Sequence, residues 1–265
     1  MAYRRIRSEA ILLRSVDFGE SDRIVHLLCP RTGRLTAIAK GARRSVKRFA
    51  GALDLCNLLR VQVEQRRSQS MARLDQAVLV HPYLGLREQP ARFALACYLL
   101  EMVDRMAPEG GAPADLERIY AFTRSALRLV ETAQPDAQLW TLLELRALAA
   151  LGLRPELRRC VGCGGALSAG DAVEFRIADG GVSCATCSLG KEGTMRVQLG
   201  TLRSLDRALE LPLDGLGRLV LGGEALAEAQ QLVARFQRFH VGIELRSERV
   251  LAGLLRGSRR AAAVA

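Results

Sequence analysis

"RIVHLLCPRTGRLTAIAK", residues 23–40, decides the first part of the fold. Two apolar runs, "RIVHLLC" and "RLTAIAK", flank "PRTG", whose proline and glycine are turn residues. That arrangement reads as a β-hairpin. On one side of it, "SEAILLRSV" (8–16) is a further strand, broken by "DFGESD". On the other side, "LDLCNLLRVQVEQ" (53–65) reads as a long fourth strand whose apolar residues partly alternate. The stretch "RRSQS" (66–70) turns the chain into a fifth strand, "MARLDQAVLV" (71–80). Five strands with little helix between residues 8 and 80 point to a small barrel.

After His81-Pro82 the period changes to that of helices. "EQPARFALACYLLEMVDRMA" (88–107) places Glu101 and Arg105 four apart on one face and stops at "PEGGAP". "ADLERIYAFTRSALRLVET" (114–132) follows, and "PDAQLWTLLELRALAALG" (135–152) is entered through Pro135 and closed by Gly152. Leu139, Trp140, Leu142, Leu143 and Leu148 read as core of a helical bundle. Residues 160–187 are a Gly- and Cys-rich insert, after which helices resume in "GTLRSLDRALEL", "EALAEAQQLVARFQRFHVGIEL" and "SERVLAGLLRG". The expected domains are a barrel (1–80), a helical domain in two parts (81–157 and 191–257), an inserted ribbon (158–190) and a flexible tail (258–265).

The net charge of +11 favours an anionic partner. Residues 1–80 carry 16 lysines and arginines against 7 aspartates and glutamates, so most of the excess lies on the barrel. Its densest part is "KGARRSVKRFAG" (40–51), with Lys40, Arg43, Arg44, Lys47 and Arg48 and no acid. Exposed charge runs are often only solvated loops. Here the loop joins two strands of a small barrel, and such barrels bind oligonucleotides through strand faces and connecting loops. With Arg34 on the preceding strand, these residues are the expected phosphate contacts. The region has few aromatics, Tyr3, Phe18 and Phe49, so binding should be mostly electrostatic and sequence-tolerant. Phe49 either plugs the barrel or stacks on a base.

"CVGCGGALSAGDAVEFRIADGGVSCATC" places Cys160 and Cys163 in one C-x-x-C and Cys184 and Cys187 in another. Two such knuckles joined by a short hairpin can close a tetrahedron around one Zn²⁺, and Gly162, Gly164, Gly180 and Gly181 let the backbone turn tightly. Four thiolates leave no open position, so one structural zinc per chain is expected. The start of the chain is basic, but Arg14 and Asp17 interrupt the apolar stretch behind it, so neither a secretory signal nor a membrane span is expected. His26, His81 and His240 read as structural. Motifs for zinc deaminases, P-loop ATPases, zinc proteases and serine hydrolases do not occur. A sequence-specific zinc-ribbon regulator of transcription is the alternative reading. It would need clustered base-reading side chains, whereas the ribbon is nearly neutral, with Asp171, Glu174 and Asp179 against Arg176.

The segment "ILLRSVDFGESDRIVHLLCPRTGRLTAIAKGARRSVKRFAGAL", the ribbon embedded among helices and the end "FQRFHVGIELRSERVLAGL" together resemble the bacterial RecO family of recombination and repair mediators. The resemblance implies an α+β multidomain protein: an N-terminal five-stranded OB-fold β-barrel, then an all-α helical domain with an inserted four-Cys zinc ribbon. It implies a cytoplasmic, nucleoid-associated, non-enzymatic protein that binds single- and double-stranded DNA and anneals complementary strands. It further implies engagement of the C-terminal tail of single-stranded DNA-binding protein and, with RecR, help in loading RecA onto coated strands. The family's tail-binding surface lies in the helical domain, where an acidic, hydrophobic tail needs an apolar groove with cations at its rim. Arg124 and Arg128, four apart on the second helix, are the expected rim.

Overall fold

The computed structural model describes residues 3–66, 71–167 and 173–262. The chain forms two compact units, Met1–Gln134 with Leu245–Ala265, and Pro135–Glu244.

The first unit is built on five strands: β1 (Tyr3–Phe18), β2 (Asp22–Cys29), β3 (Gly33–Ala39), β4 (Leu58–Arg66) and β5 (Ala72–His81). They close into a barrel in the order β1-β2-β3-β5-β4, the arrangement of an OB fold. The long β1 makes closure possible. Its first half pairs with β4, from Tyr3↔Arg66 to Ile11↔Leu58, and its second half with β2, from Ile11↔Leu28 to Phe18↔Asp22. A bulge between Leu12 and Arg14 bends the strand between these two roles. Along β3 burial alternates strictly, as a strand with one face in a core must. The "PRTG" turn is held from outside: the Arg34 N–H donates to the Pro108 carbonyl (3.0 Å) and the Gly110 N–H to the Thr32 carbonyl (3.0 Å). Gly33, at φ +70°, is required there, because a Cβ would lie 2.4 Å from the Pro108 oxygen.

The fourth strand starts at Leu58, five residues later than its apolar pattern suggests. The preceding residues do a different job. Phe49, only 2% exposed, packs with Ala52 and Leu53 among the inward side chains of the barrel, including Leu12, Leu27, Val61 and Leu74. Cys56 then turns back with a left-handed φ of 71°. Of the two roles open to Phe49, the structure shows the plug; apolar content marks residues 53–57 as buried but cannot say that they are not yet strand. Of "RRSQS", Arg66 ends β4 and residues 67–70 lie outside the described residues.

Three helices pack on this barrel unit: α1 (Gly85–Glu88), α2 (Pro90–Met106) and α3 (Pro113–Thr132). Helix α8 (Arg246–Ala262) joins them by packing along α2, and it continues into the segment expected to be a tail. Its N-terminus is capped from α2: the Glu101 carboxylate accepts the Arg246 N–H (3.0 Å), the Ser247 N–H (2.9 Å) and the Ser247 hydroxyl (2.5 Å).

The second unit holds α4 (Ala137–Ala150), α6 (Leu199–Glu210) and α7 (Gly223–Val241), which pack on one another, and a three-stranded sheet, β6 (Val173–Arg176), β7 (Gly181–Cys184) and β8 (Thr194–Arg196), with the short α5 (Ala185–Ser188). Asp136 caps α4 by accepting the Leu139 N–H (2.7 Å). Leu142, Leu143 and Leu148 are fully buried and Leu139 nearly so, while Trp140 is half-buried. Phe175 of β6 meets Phe236 of α7 edge to face with centroids 6.1 Å apart, which seats the sheet on the helices. Among the described residues no helix is long and apolar enough to cross a membrane.

Candidate nucleic-acid interface and metal centre

The basic loop between β3 and the plug is exposed at all five cations, Lys40, Arg43, Arg44, Lys47 and Arg48. Its backbone is nevertheless fixed. The Gly-Glu-Ser-Asp turn between β1 and β2 lies beneath it, and the Asp22 carboxylate accepts the Gly41 N–H (2.8 Å). The Ser21 carbonyl accepts the Arg43 N–H (3.0 Å). At the other end the Arg48 carbonyl accepts the Ala77 N–H from β5 (3.0 Å), and Phe49 is sunk in the barrel.

Two of the five cations also hold the loop. Arg43 reaches the Glu20 carbonyl (3.4 Å) and lies 3.6 Å from Asp17. Arg48 donates to the Lys40 carbonyl (2.5 Å), with its guanidinium 5.0 Å from the centre of the Phe49 ring. Lys40, Arg44 and Lys47 have no side-chain partner among the described residues. A pinned backbone thus presents free cations in a limited region, which avoids much of the ordering entropy that a floppy loop would lose on binding an anion.

Arg34 is set apart from this cluster. Its guanidinium donates to Glu109 (2.7 Å), lies 3.7 Å from Asp104 and is 24% exposed. Asp104 in turn is 2.6 Å from His26 Nδ1, so Arg34 and His26 tie the barrel to α2 and the loop after it. Phe49 is the plug, which leaves Phe18, 52% exposed at the end of β1, as the aromatic that flanks the loop's supporting turn. Sequence reading missed Asp22 and Ser21 as members of the site. Their signal was the turn sequence itself, since Asp and Ser recur where a side chain or carbonyl must take a backbone N–H.

The four cysteines converge. The sulfurs of Cys160, Cys163, Cys184 and Cys187 all lie within 4.8 Å of one another, with Cys160–Cys184 at 3.8 Å and Cys163–Cys184 at 4.0 Å. A tetrahedral zinc with Zn–S bonds of about 2.3 Å sets its sulfurs about 3.8 Å apart, close to the spacing here, so the set is compatible with Zn²⁺. The knuckles are shaped for it. Cys160 Sγ accepts the Gly162 and Cys184 N–H groups (3.4 Å each). Burial pushes the Cys160 thiol up, but N–H donors from Cys184, Cys163 and Gly162 outweigh it and bring it down to about 5. Glycine is obligatory at 162, where a Cβ would sit 2.9 Å from that of Cys187. The hairpin between the knuckles has no cation to spare: Arg176 pairs with Asp179.

A second surface of the first unit is a groove of about 440 Å³ between β1, α2 and α8. Leu13, Leu55, Leu100 and Val250 form its apolar lining, Glu101 and Asp104 lie within it, and Arg14, Arg105 and Arg246 stand exposed around it. On α3, Arg124 lies 3.5 Å from Glu9 and is half-buried, while Arg128 is exposed.

Comparison with known proteins agrees with this architecture. A family described as "Recombination protein O N terminal" matches residues 1–83, and "Recombination protein O C terminal" matches residues 87–249. A protein of Anaeromyxobacter dehalogenans (strain 2CP-C) named "DNA repair protein RecO" is 33% identical over 93% of this chain and 96% of its own. Proteins with the same name from Symbiobacterium thermophilum and Myxococcus xanthus are each 35% identical, over 86% and 92% of this chain and 89% and 95% of their own. Barrel, helices and cysteine ribbon fall within matches that run nearly from end to end, and the chain belongs to the RecO family.

Proposed function

We propose that the chain is a non-enzymatic mediator of recombinational DNA repair that works by holding DNA backbones on the barrel. The observation that carries this reading is the exposed, backbone-pinned loop of Lys40, Arg43, Arg44, Lys47 and Arg48. Its cations replace condensed counterions along the phosphates, so binding is sequence-tolerant and applies to single and double strands. Two strands held loosely on one basic surface lose their mutual repulsion and can search for register, which is strand annealing without bond chemistry or nucleotide. On this reading the protein acts in the cytoplasm at the nucleoid, and with RecR it assists RecA onto strands coated by single-stranded DNA-binding protein.

The tail of that coating protein docks on the helices of the first unit. Arg124 and Arg128 are the contacts expected from sequence. The groove geometry favours Arg14, Arg105 and Arg246, because Arg124 already faces Glu9. One Zn²⁺ on Cys160, Cys163, Cys184 and Cys187 completes the fold of the second unit; bound there it links two knuckles and, with all positions filled by sulfur, has no catalytic role. A ribbon that reads base edges would need free Arg, Asn or Gln, and Arg176 is committed to Asp179.

The test is binding and annealing of unrelated oligonucleotides without ATP. Similar affinities for unrelated sequences, with annealing that needs no nucleotide, are expected. Strong preference for one sequence, or dependence of annealing on ATP, would overturn the reading. For the tail, charge reversal at Arg105 and Arg246 should weaken binding of an acidic tail peptide more than reversal at Arg124 and Arg128.

A further inference from the structure

Phe18 belongs to a row of side chains on the outside of the barrel. On β2 and β3 the inward side chains are Val25, Leu27, Leu35, Ala37 and Ala39, so Ile24 and Ile38 face outward. Val16 of β1 lies opposite Ile24, and Ile24 lies opposite Ile38, which sets three apolar side chains in one rung across β1, β2 and β3. Val16 is 42% exposed and the two isoleucines are half-buried. Phe18, two residues beyond Val16, continues the same face and is exposed. On the other side of the rung, His26 is taken by Asp104 of α2 (2.6 Å), so the helix covers that end of the face and leaves the Phe18 end open.

The open end adjoins the cations. Phe18 lies opposite Asp22, whose carboxylate accepts the Gly41 N–H (2.8 Å). Lys40, two residues beyond Ile38, is exposed and has no side-chain partner among the described residues. Arg43 lies 3.6 Å from Asp17, the chain neighbour of Phe18. A lone exposed apolar side chain is ordinary and needs no explanation. An aromatic ring that continues an open apolar rung, with cations at its edge, has the two parts a nucleotide needs: a face for the base and charge for the phosphate. Bases inside a duplex are stacked on one another and reach such a ring only after costly unstacking, so the contact is open to single strands.

We propose that Phe18 is a base-stacking residue of the barrel: it takes one unpaired base of a strand whose phosphates lie on Lys40 and Arg43, with Val16, Ile24 and Ile38 as the apolar floor beside it. The proposal rests on the reading of the loop as a phosphate site, and it adds a preference for single strands that the cations alone do not supply. Every base has a π-face, so the preference is for unpaired bases and not for a sequence.

The test uses the full-length protein and three labelled probes of equal length: a mixed-sequence single strand, the same backbone with abasic positions throughout, and a duplex. Wild type and Phe18→Ala are compared on each probe at several salt concentrations, with folding of the variant checked by its unfolding transition. Phe18→Ala should bind the single strand about tenfold more weakly, the scale of one lost base–aromatic stack. The slope of log K against log[salt] should stay as in wild type, because no phosphate contact is lost. Affinity for the abasic strand and for the duplex should match wild type. Phe18→Trp should keep the single-strand affinity, and its added indole fluorescence should be quenched by the single strand and not by the abasic one. The proposal is overturned if Phe18→Ala binds the single strand as wild type does, if all three probes weaken alike, which would make Phe18 a support of the loop, or if the single strand leaves the added indole unquenched. The loop reading fails by a different result, a wild-type protein whose single-strand binding does not depend on salt.

Discussion

Asp22 shows at the residue scale how an acid can serve a basic surface. Its carboxylate accepts the Gly41 N–H and thereby fixes the start of the cationic loop. Charge counting alone predicts that Asp22→Ala strengthens DNA binding, since a negative charge beside the loop is removed. The geometry predicts the reverse, because the loop loses a charge-assisted hydrogen bond of about 1.5–3 kcal/mol and must be ordered when DNA binds. Oligonucleotide affinity measured for the variant gives the sign directly, and tighter binding would show that the loop does not need its anchor. Phe49 belongs to the same scale. Phe49→Ala should destabilise the first unit by about 3–5 kcal/mol, read in denaturant unfolding, because the plug leaves a cavity in the barrel. A base-stacking role for Phe49 would instead lower affinity and spare stability. In the second unit, Cys184→Ser should reduce zinc from one per chain to none in elemental analysis and lower that unit's thermal midpoint, because structural zinc is linked to folding.

Helix α8 is the clearest case at the scale of elements. Its N-terminus is closed by Glu101 of α2, a residue 146 positions from Ser247. Burial pulls the Glu101 carboxyl up, but hydrogen bonds from Ser247 and Arg246 and the charge of Arg105 outweigh it and hold the carboxyl below its ordinary value. A carboxylate held down in the folded state contributes stability that is present above its unfolded pKa and lost as pH falls through its folded value. Docking of α8 should therefore weaken on acidification below the ordinary Glu range near 4.3. Glu101→Gln should abolish that part of the acid dependence and loosen the helix by ~1 kcal/mol, the scale of a lost cap. Amide exchange over residues 246–257 at several pH values reads both. The sequence reading of Glu101 and Arg105 as a pair on one helical face was incomplete for a physical reason. Helical spacing reports which residues share a face, and it is silent on which distant terminus needs an acceptor.

The same limit governs what was legible in the whole molecule. Strand periodicity and turn residues made the five barrel strands readable, and C-x-x-C spacing made the cysteine cluster readable, because both signals are local. Residues 53–57 read as the start of the fourth strand in sequence because burial, and not extension, is what apolar content encodes. Helices α2, α3 and α8 share a unit with the barrel while α4, α6 and α7 share one with the ribbon; every one of them shows helical spacing, and nothing in that pattern names the partner. Arg34 likewise reads as one more cation of the barrel, and only the fold brings Glu109 within 2.7 Å of it.

What unites these scales is a barrel whose anchored loop offers phosphates a set of free cations, and its salt dependence exposes that role most directly. Lys40, Arg44 and Lys47 have no partners to lose among the described residues, so replacing all three with alanine leaves the loop's own hydrogen bonds in place. Each phosphate contact on a single strand contributes about 0.7 to the slope of log K against log[salt], so three lost contacts should flatten it by about 2. The measurement is a titration of labelled single-stranded oligonucleotide at several salt concentrations, wild type against the triple variant, with folding of the variant checked by its unfolding transition. A slope flatter by about 2, with affinity reduced alike for unrelated sequences, is the expected result. A folded variant whose slope equals that of the wild type would contradict it and place the DNA site elsewhere on the protein.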